Sequence, residues 1–327
     1  MKGQWKGKFD GTNSGSVILD MDERQNSFEG VGFLADNDST LPNYIIEITA
    51  PKGEKVFTVK VRVLPVSNGE VLSSARFAEL FPSTQLSSYA ETKWHVDERV
   101  IKIDWKTEAG TSGMVNLALN DSDKKSDRQP EPILNWKQFR EYAVDLESDR
   151  FIFRGQENCE WRLRISFHRA GRSNVYRFAN SDVPILYKNL CHMTQHVFDL
   201  EKSDQNGAFI SLVQHHGYPT PLLDWTHSPF IAAYFAFNDL PIQKLFNDQK
   251  VRIHMFDKKA WLIDFPQQNS LKVHTPHFSI LETLAIGNPR MVPQQALASV
   301  TNVADIETYI LERRMVDVNR LGFTNQL

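Results

Sequence analysis

Cysteine is scarce in this 327-residue chain: it has two, Cys159 and Cys191. Two make no disulfide framework, and neither stands in a CxxC or zinc-ligand spacing. Both are expected as reduced thiols of a cytoplasmic protein. An excess of one charge is lacking too. The net charge is −3, so no global field draws the chain to nucleic acid or an anionic membrane. A local basic face around Arg162, Arg164, Arg169 and Arg172 stays open. No uninterrupted run approaches the roughly 18 apolar residues of a membrane span. The start, Met1-Lys2-Gly3-Gln4-Trp5, is polar and glycine-rich, unlike a secretion signal. No GxSxG elbow is present, which argues against a serine hydrolase, and the two cysteines have no nucleophile motif around them. His192 and His196 stand at i and i+4 but outside any HExxH pattern, and His95 is isolated. No metal is expected.

What is present divides in two, as the length predicts. Residues 1–119 read as a β domain. Trp5, Gly7, Phe9 and Gly11 alternate large and small at period two. Tyr44-Ile45-Ile46-Glu47-Ile48 and the run Val56 to Val63 are rich in β-branched and aromatic residues, as strands are. Val100 to Trp105 and Met114 to Leu117 add two more. Short strands separated by turn signals predict a small antiparallel sandwich or barrel. Its glycines serve tight turns and bulges, or open a barrel mouth to a partner or activating molecule. Residues 120–132 have linker composition, polar and charged and closing on Pro130 and Pro132. Residues 133–327 form the second domain, of α+β class.

One stretch of that domain concentrates polar groups at the ends of apolar runs. Phe151-Ile152-Phe153 reads as a buried strand that delivers Arg154, Gly155 and Gln156 at its end. A guanidinium beside a glycine grips a phosphate or carboxylate ligand, or pairs with a structural carboxylate. The segment from Trp161 to Phe167 alternates, as a strand or extended piece does. A helix is expected over Gly207–His216, stopped by Gly217. Leu222 to Thr226 is a brief strand, and Ser228-Pro229 opens an apolar helix. Asp224 and Thr226 at this switch either meet a ligand or satisfy local amides. Val251 to Phe256 is a strand, with Trp261-Leu262-Ile263 extending the sheet. Ser279 to Leu284 and Thr308 to Arg314 fit strand or helix alike.

These residues resemble the FRG domain family, named for a Phe-Arg-Gly motif. The match in order is Phe153-Arg154-Gly155-Gln156, then Trp161 with Leu163, then Gln214-His215 with Gly217. Thr220, Leu222-Leu223-Asp224-Trp225-Thr226, Pro229 and Ala233 through Ala236 follow. The resemblance spans residues 134 to 300. The family usually shows a further Asn-x-Arg…Gln-x-Gly-x-Phe segment, to which Asn288 through Ala298 is similar. Ala296 and Ala298 stand where the family has Gly and Phe, a departure that bears on activity.

The layout is similar, more distantly, to the ADP-ribosyltransferases. That resemblance implies NAD as co-substrate, with Arg154, Thr226 and Gln294 as catalytic residues. The nucleotide-binding set it implies is Arg154, Gly155, Gln156, Gln214, His215, Thr220, Asp224, Trp225 and Thr226. Arg154 would hold the pyrophosphate or ribose, and Thr226 with Asp224 nearby would position the nicotinamide ribose. Cleaving the glycosidic bond builds positive charge on that ribose, which a glutamate stabilises better than the neutral Gln294. Glu282 and Glu157 are the carboxylates that could substitute. The expected activity is an NAD-using ADP-ribosyltransferase or NAD glycohydrolase, a toxin or defence effector with a protein or nucleic-acid acceptor. The alternative is a non-catalytic module that binds a nucleotide, another small molecule or a protein through the same cleft.

Overall fold

A computed structural model describes residues 1–67, 70–126, 134–238, 240, 250–268 and 270–315. The expected linker falls partly outside these residues, beyond position 126. The chain divides into two compact units. One comprises Met1–Asp121, Phe167–Pro184 and Leu271–Pro276; the other comprises Ser122–Ser166, Ile185–Ser270 and His277–Leu327.

The first unit is an antiparallel barrel. Its strands are β1 (Gly3–Gly11), β2 (Gly15–Glu23), β3 (Ser27–Asp36), β4 (Asn43–Pro51), β5 (Val56–Ser67), β6 (Glu70–Val71), β7 (Tyr89–Val96), β8 (Val100–Thr107) and β9 (Ser112–Leu119). A short helix, α1 (Ser74–Leu80), separates β6 from β7. Eight of the strands form the ring: β1 to β5 pair in sequence order, β5 pairs onward with β7, β7 to β9 pair in order, and β1 returns to β9, while β6 pairs with β5 alone. The 12-residue β5 makes closure possible. Its first half pairs with β7 and its second half with β4, and Arg62 stands in both registers, opposite Tyr89 and Glu47. The barrel, of eight strands, thus decides between the sandwich and barrel expectations. Alternation fills its interior: Trp5, Phe9, Leu19, Met21, Trp94 and Ile101 belong to one buried cluster. Gly7 lets β1 and β9 close up, since a Cβ there would lie 1.7 Å from the Asn116 carbonyl. Within the same unit, the buried carboxylate of Asp22 accepts from the Ser173 and Asn174 amides at 2.6 and 3.1 Å.

The second unit carries a five-stranded antiparallel sheet, in the order β12-β10-β11-β14-β13. These strands are β10 (Phe151–Gln156), β11 (Leu222–Thr226), β12 (Arg252–Asp257), β13 (Phe278–Leu281) and β14 (Ala296–Thr301). The helices that matter here are α2 (Trp136–Val144), α3 (Ser166–Arg169, shared with the first unit), α4 (Val175–Arg177, in the first unit), α5 (Val183–Thr194), α6 (Ser203–His215), α7 (Pro229–Phe237), α8 (Lys258–Asp264) and α9 (Ile306–Met315). Asn135 caps α2 with Gln138 in a reciprocal capping box, and Ser228 caps α7 ahead of Pro229. Gly217, at φ +84°, stands just past α6.

One local expectation changes and three open ones resolve. Trp261-Leu262-Ile263 lies in α8 and does not extend the sheet: the Asp257 side chain accepts from the Ala260 amide and starts a helix there. The Trp161–Phe167 segment forms no strand, and its end turns into α3 at Ser166. Thr308 to Arg314 is helical, and of the Ser279–Leu284 segment the first half, to Leu281, is a strand.

Candidate functional site

Strands β10 and β11 are registered at one pair, Phe153 opposite Thr226. Past it they separate, and Arg154 Nη1 bridges the gap by donating to the Asp224 carbonyl at 2.7 Å. The guanidinium takes the place of a ladder bond. A cleft of about 420 Å³ lies here, within the second unit.

Its polar lining comes from four segments, with α7 and β14 adding apolar groups. β10 supplies Arg154 and Gly155; α6 supplies Ser211, Gln214 and His215. β11 supplies Asp224, Trp225 and Thr226, and the segment before β14 supplies Asn288, Arg290, Met291 and Gln294. Asp224 is the only carboxylate of this lining among the described residues. It is held in place: Gln214 Nε2 donates to both of its oxygens, at 2.6 and 2.7 Å. Gln214 is fixed in turn by the Thr220 hydroxyl, which donates to its Oε1. Thr220 is fully buried, and its amide donates to Ser166 Oγ at 3.0 Å. Thr220, Gln214 and Asp224 thus form one hydrogen-bonded chain from the interior to the cleft.

The expected site residues fall into three groups. Arg154, Gln214, His215, Asp224 and Gln294 line the cleft. Gly155, Trp225 and Thr226 also line it, but their chemistry faces the fold. A Cβ on Gly155 would lie 1.9 Å from the Ala232 carbonyl, so this glycine admits the α7 backbone. Trp225 is 3% exposed; its indole donates to Ser299 Oγ at 2.9 Å, and its ring packs on Phe256. The Thr226 hydroxyl donates to the Gln294 carbonyl at 2.8 Å and accepts from the Ser228 amide at 3.1 Å. The third group lies off the cleft. Gln156 is buried, and its Oε1 meets His254 Nε2 at 2.8 Å. Thr220 reaches the cleft through Gln214 alone. Neither Glu157 nor Glu282 lines the cleft; Glu282 pairs with Lys258 Nζ at 3.3 Å.

Two lining residues stand outside the expected set, Asn288 and Arg290. The Arg290 side chain is exposed and has no partner among the described residues. Asn288 is 7% exposed, and its Oδ1 is buried without a hydrogen bond. Their signal in the sequence is the Asn-x-Arg segment itself. What it could not convey is that a turn at Pro289–Met291 sets one side chain inside and the other at the rim.

Residues 149–244 match the family model of the FRG domain. The chain carries an FRG domain. The FRG match takes in Arg154, the Thr220–Gln214–Asp224 chain and Thr226, whereas Asn288, Arg290 and Gln294 lie beyond its end. No curated protein and no solved structure matches the chain. Among the described residues, no group of three or more His, Cys, Asp or Glu could hold a metal ion, and no helix is long and apolar enough to cross a membrane.

Proposed function

We propose that the FRG-bearing unit binds a dinucleotide in this cleft and acts on it as an NAD-using ADP-ribosyltransferase or glycohydrolase. The observation that carries this reading is the single oriented carboxylate, Asp224, in a cleft that also holds the guanidinium groups of Arg154 and Arg290. The donor set suits such a ligand: the Arg290 guanidinium, with no partner among the described residues, is available to phosphate oxygens, and the fixed Asp224 carboxylate to a sugar. NAD itself would supply a glycosidic bond whose cleavage develops positive charge on the ribose. Asp224 is the group in the lining that stabilises positive charge, and Gln214 keeps it from turning away. Arg154 secures the β11 main chain under Asp224 and so positions it. The neutral Gln294 lies in the same wall as an amide donor and acceptor. Onward transfer to a protein or nucleic acid, as in a toxin or defence effector, would follow the same first step.

A second reading is favoured by one observation. The Thr226 hydroxyl is engaged by main-chain groups on both sides, which leaves it little capacity to act on a ribose. On that reading the cleft binds a nucleotide without turnover. Nicotinamide release from NAD by the purified chain, beside Asp224→Asn, separates the two. Release that falls on the order of 100-fold in the variant supports catalysis. Calorimetric binding of NAD with no release leaves the binding module, and absence of both overturns the NAD reading.

A further inference from the structure

Asn288 offers a polar group that the fold itself leaves unused. Its side chain makes no cap for the Pro289–Met291 turn; its main-chain carbonyl accepts from the Met291 amide instead, at 3.2 Å. With 7% of the residue exposed, Oδ1 is buried and unmatched among the described residues. Folded chains hold few such atoms, because each forfeits the hydrogen bonds that water supplied. The same cleft is lined by buried apolar groups, Phe153, Met291 and Leu297 among them. An acceptor oxygen set among apolar groups matches a flat ring with apolar faces and an N–H on its edge.

We propose that Asn288 is a specificity-determining residue, whose Oδ1 accepts a hydrogen bond from an exocyclic N–H of a heteroaromatic ring in the ligand. This rests on the nucleotide reading above and deepens it by naming what the ligand must present. In a dinucleotide two groups have that chemistry, the carboxamide of nicotinamide and the amino group of adenine. Arg290, two residues on and without a partner among the described residues, would receive a phosphate of the same molecule.

The test uses the full chain. Wild type, Asn288→Leu and Asn288→Asp are titrated calorimetrically with NAD, with nicotinic acid adenine dinucleotide, and with nicotinamide hypoxanthine dinucleotide. The first analogue lacks the amide N–H and the second lacks the amino group. Thermal unfolding of each ligand-free protein runs alongside. Asn288→Leu is expected to melt at or above wild type, since it removes an unmatched polar atom, and to bind NAD about tenfold more weakly or worse. Asn288→Asp, which keeps an acceptor, is expected to bind NAD within a few-fold of wild type. One analogue is expected to bind wild type as weakly as NAD binds the Leu variant, and to be indifferent to the substitution. That analogue names the group that Asn288 reads. Equal binding of NAD and both analogues to wild type overturns the proposal and leaves the nucleotide reading standing. An Asn288→Leu melting point well below wild type overturns it as well, because the amide is then structural. Failure of wild type to bind NAD overturns both.

Discussion

Arg290 and Gly155 show how two cleft residues with similar addresses carry opposite costs. Arg290 has an exposed side chain with no partner among the described residues, so its removal leaves nothing unsatisfied. Arg290→Ala is expected to keep the unfolding free energy within about 0.5 kcal/mol of wild type. Its effect should fall on ligand affinity, by roughly tenfold for a lost charge-assisted hydrogen bond, and calorimetry at low and high salt checks it. Gly155 is the reverse. The α7 main chain occupies the space a Cβ would need, with the Ala232 carbonyl at 1.9 Å and the Ala236 amide at 2.8 Å. Neither contact is a flexible side chain that could turn aside. Gly155→Ala is therefore expected to cost about 1–3 kcal/mol or more, read by urea unfolding, before any ligand is added. A stable Gly155→Ala variant that merely loses ligand binding would return this glycine to a direct role at the ligand.

At the scale of elements, α9 is held by a polar cluster. Arg162 and Asp305 form an ion pair at 2.9 Å with side chains 5% and 6% exposed. Asp305 also accepts from the Thr308 amide and hydroxyl at the start of α9. Glu307 accepts from the Leu163 amide at 2.9 Å and from the Ser126 hydroxyl at 2.8 Å. Removing one partner strands the other charge where water does not reach. Asp305→Ala is expected to cost about 3–5 kcal/mol. The double variant Arg162→Met with Asp305→Ala should cost less than the sum of the single ones, because neither charge is then left alone. A double-mutant cycle in urea measures this, and strict additivity would sink the account. These elements also mark what the sequence makes legible. Alternation and β-rich composition expose β1, β4, β5, β8 and β9, whereas the two-residue β6, exposed throughout, has no buried face to show. Closure does not show, because it depends on β1 meeting β9 and on β5 serving two neighbours. Ser228 announces its helix through a local cap. Trp261 to Ile263 misleads because its apolar run suits a strand, while the start signal sits four residues earlier at Asp257. In the site, polar residue types mark the cleft, but which ones face inward follows from tertiary contacts. Thr226 is spent on the main chain, Gly155 on a helix, and Asn288 on neither.

For the molecule as a whole, acid response follows from a histidine the fold encloses. His277 is 6% exposed. Its Nδ1 lies 3.1 Å from Ser279 Oγ, and its amide donates to Asn302 Oδ1 at 3.0 Å. Burial strips water from the charged ring and pushes its pKa from 6.5 down to about 4. Between those values the unfolded chain binds the proton and the folded chain does not. The stability tied to His277 is therefore complete above pH 6.5 and drains away as the pH falls towards 4. By pH 5 the loss from this residue is about 2 kcal/mol. Urea midpoints of the full chain at pH 7 and pH 5 should differ accordingly. His277→Gln, which cannot take the proton, should narrow that difference by a similar amount while keeping a side chain able to reach Ser279. Parallel losses in wild type and variant would place the acid sensitivity elsewhere, first at His274, whose pKa burial also lowers to about 4.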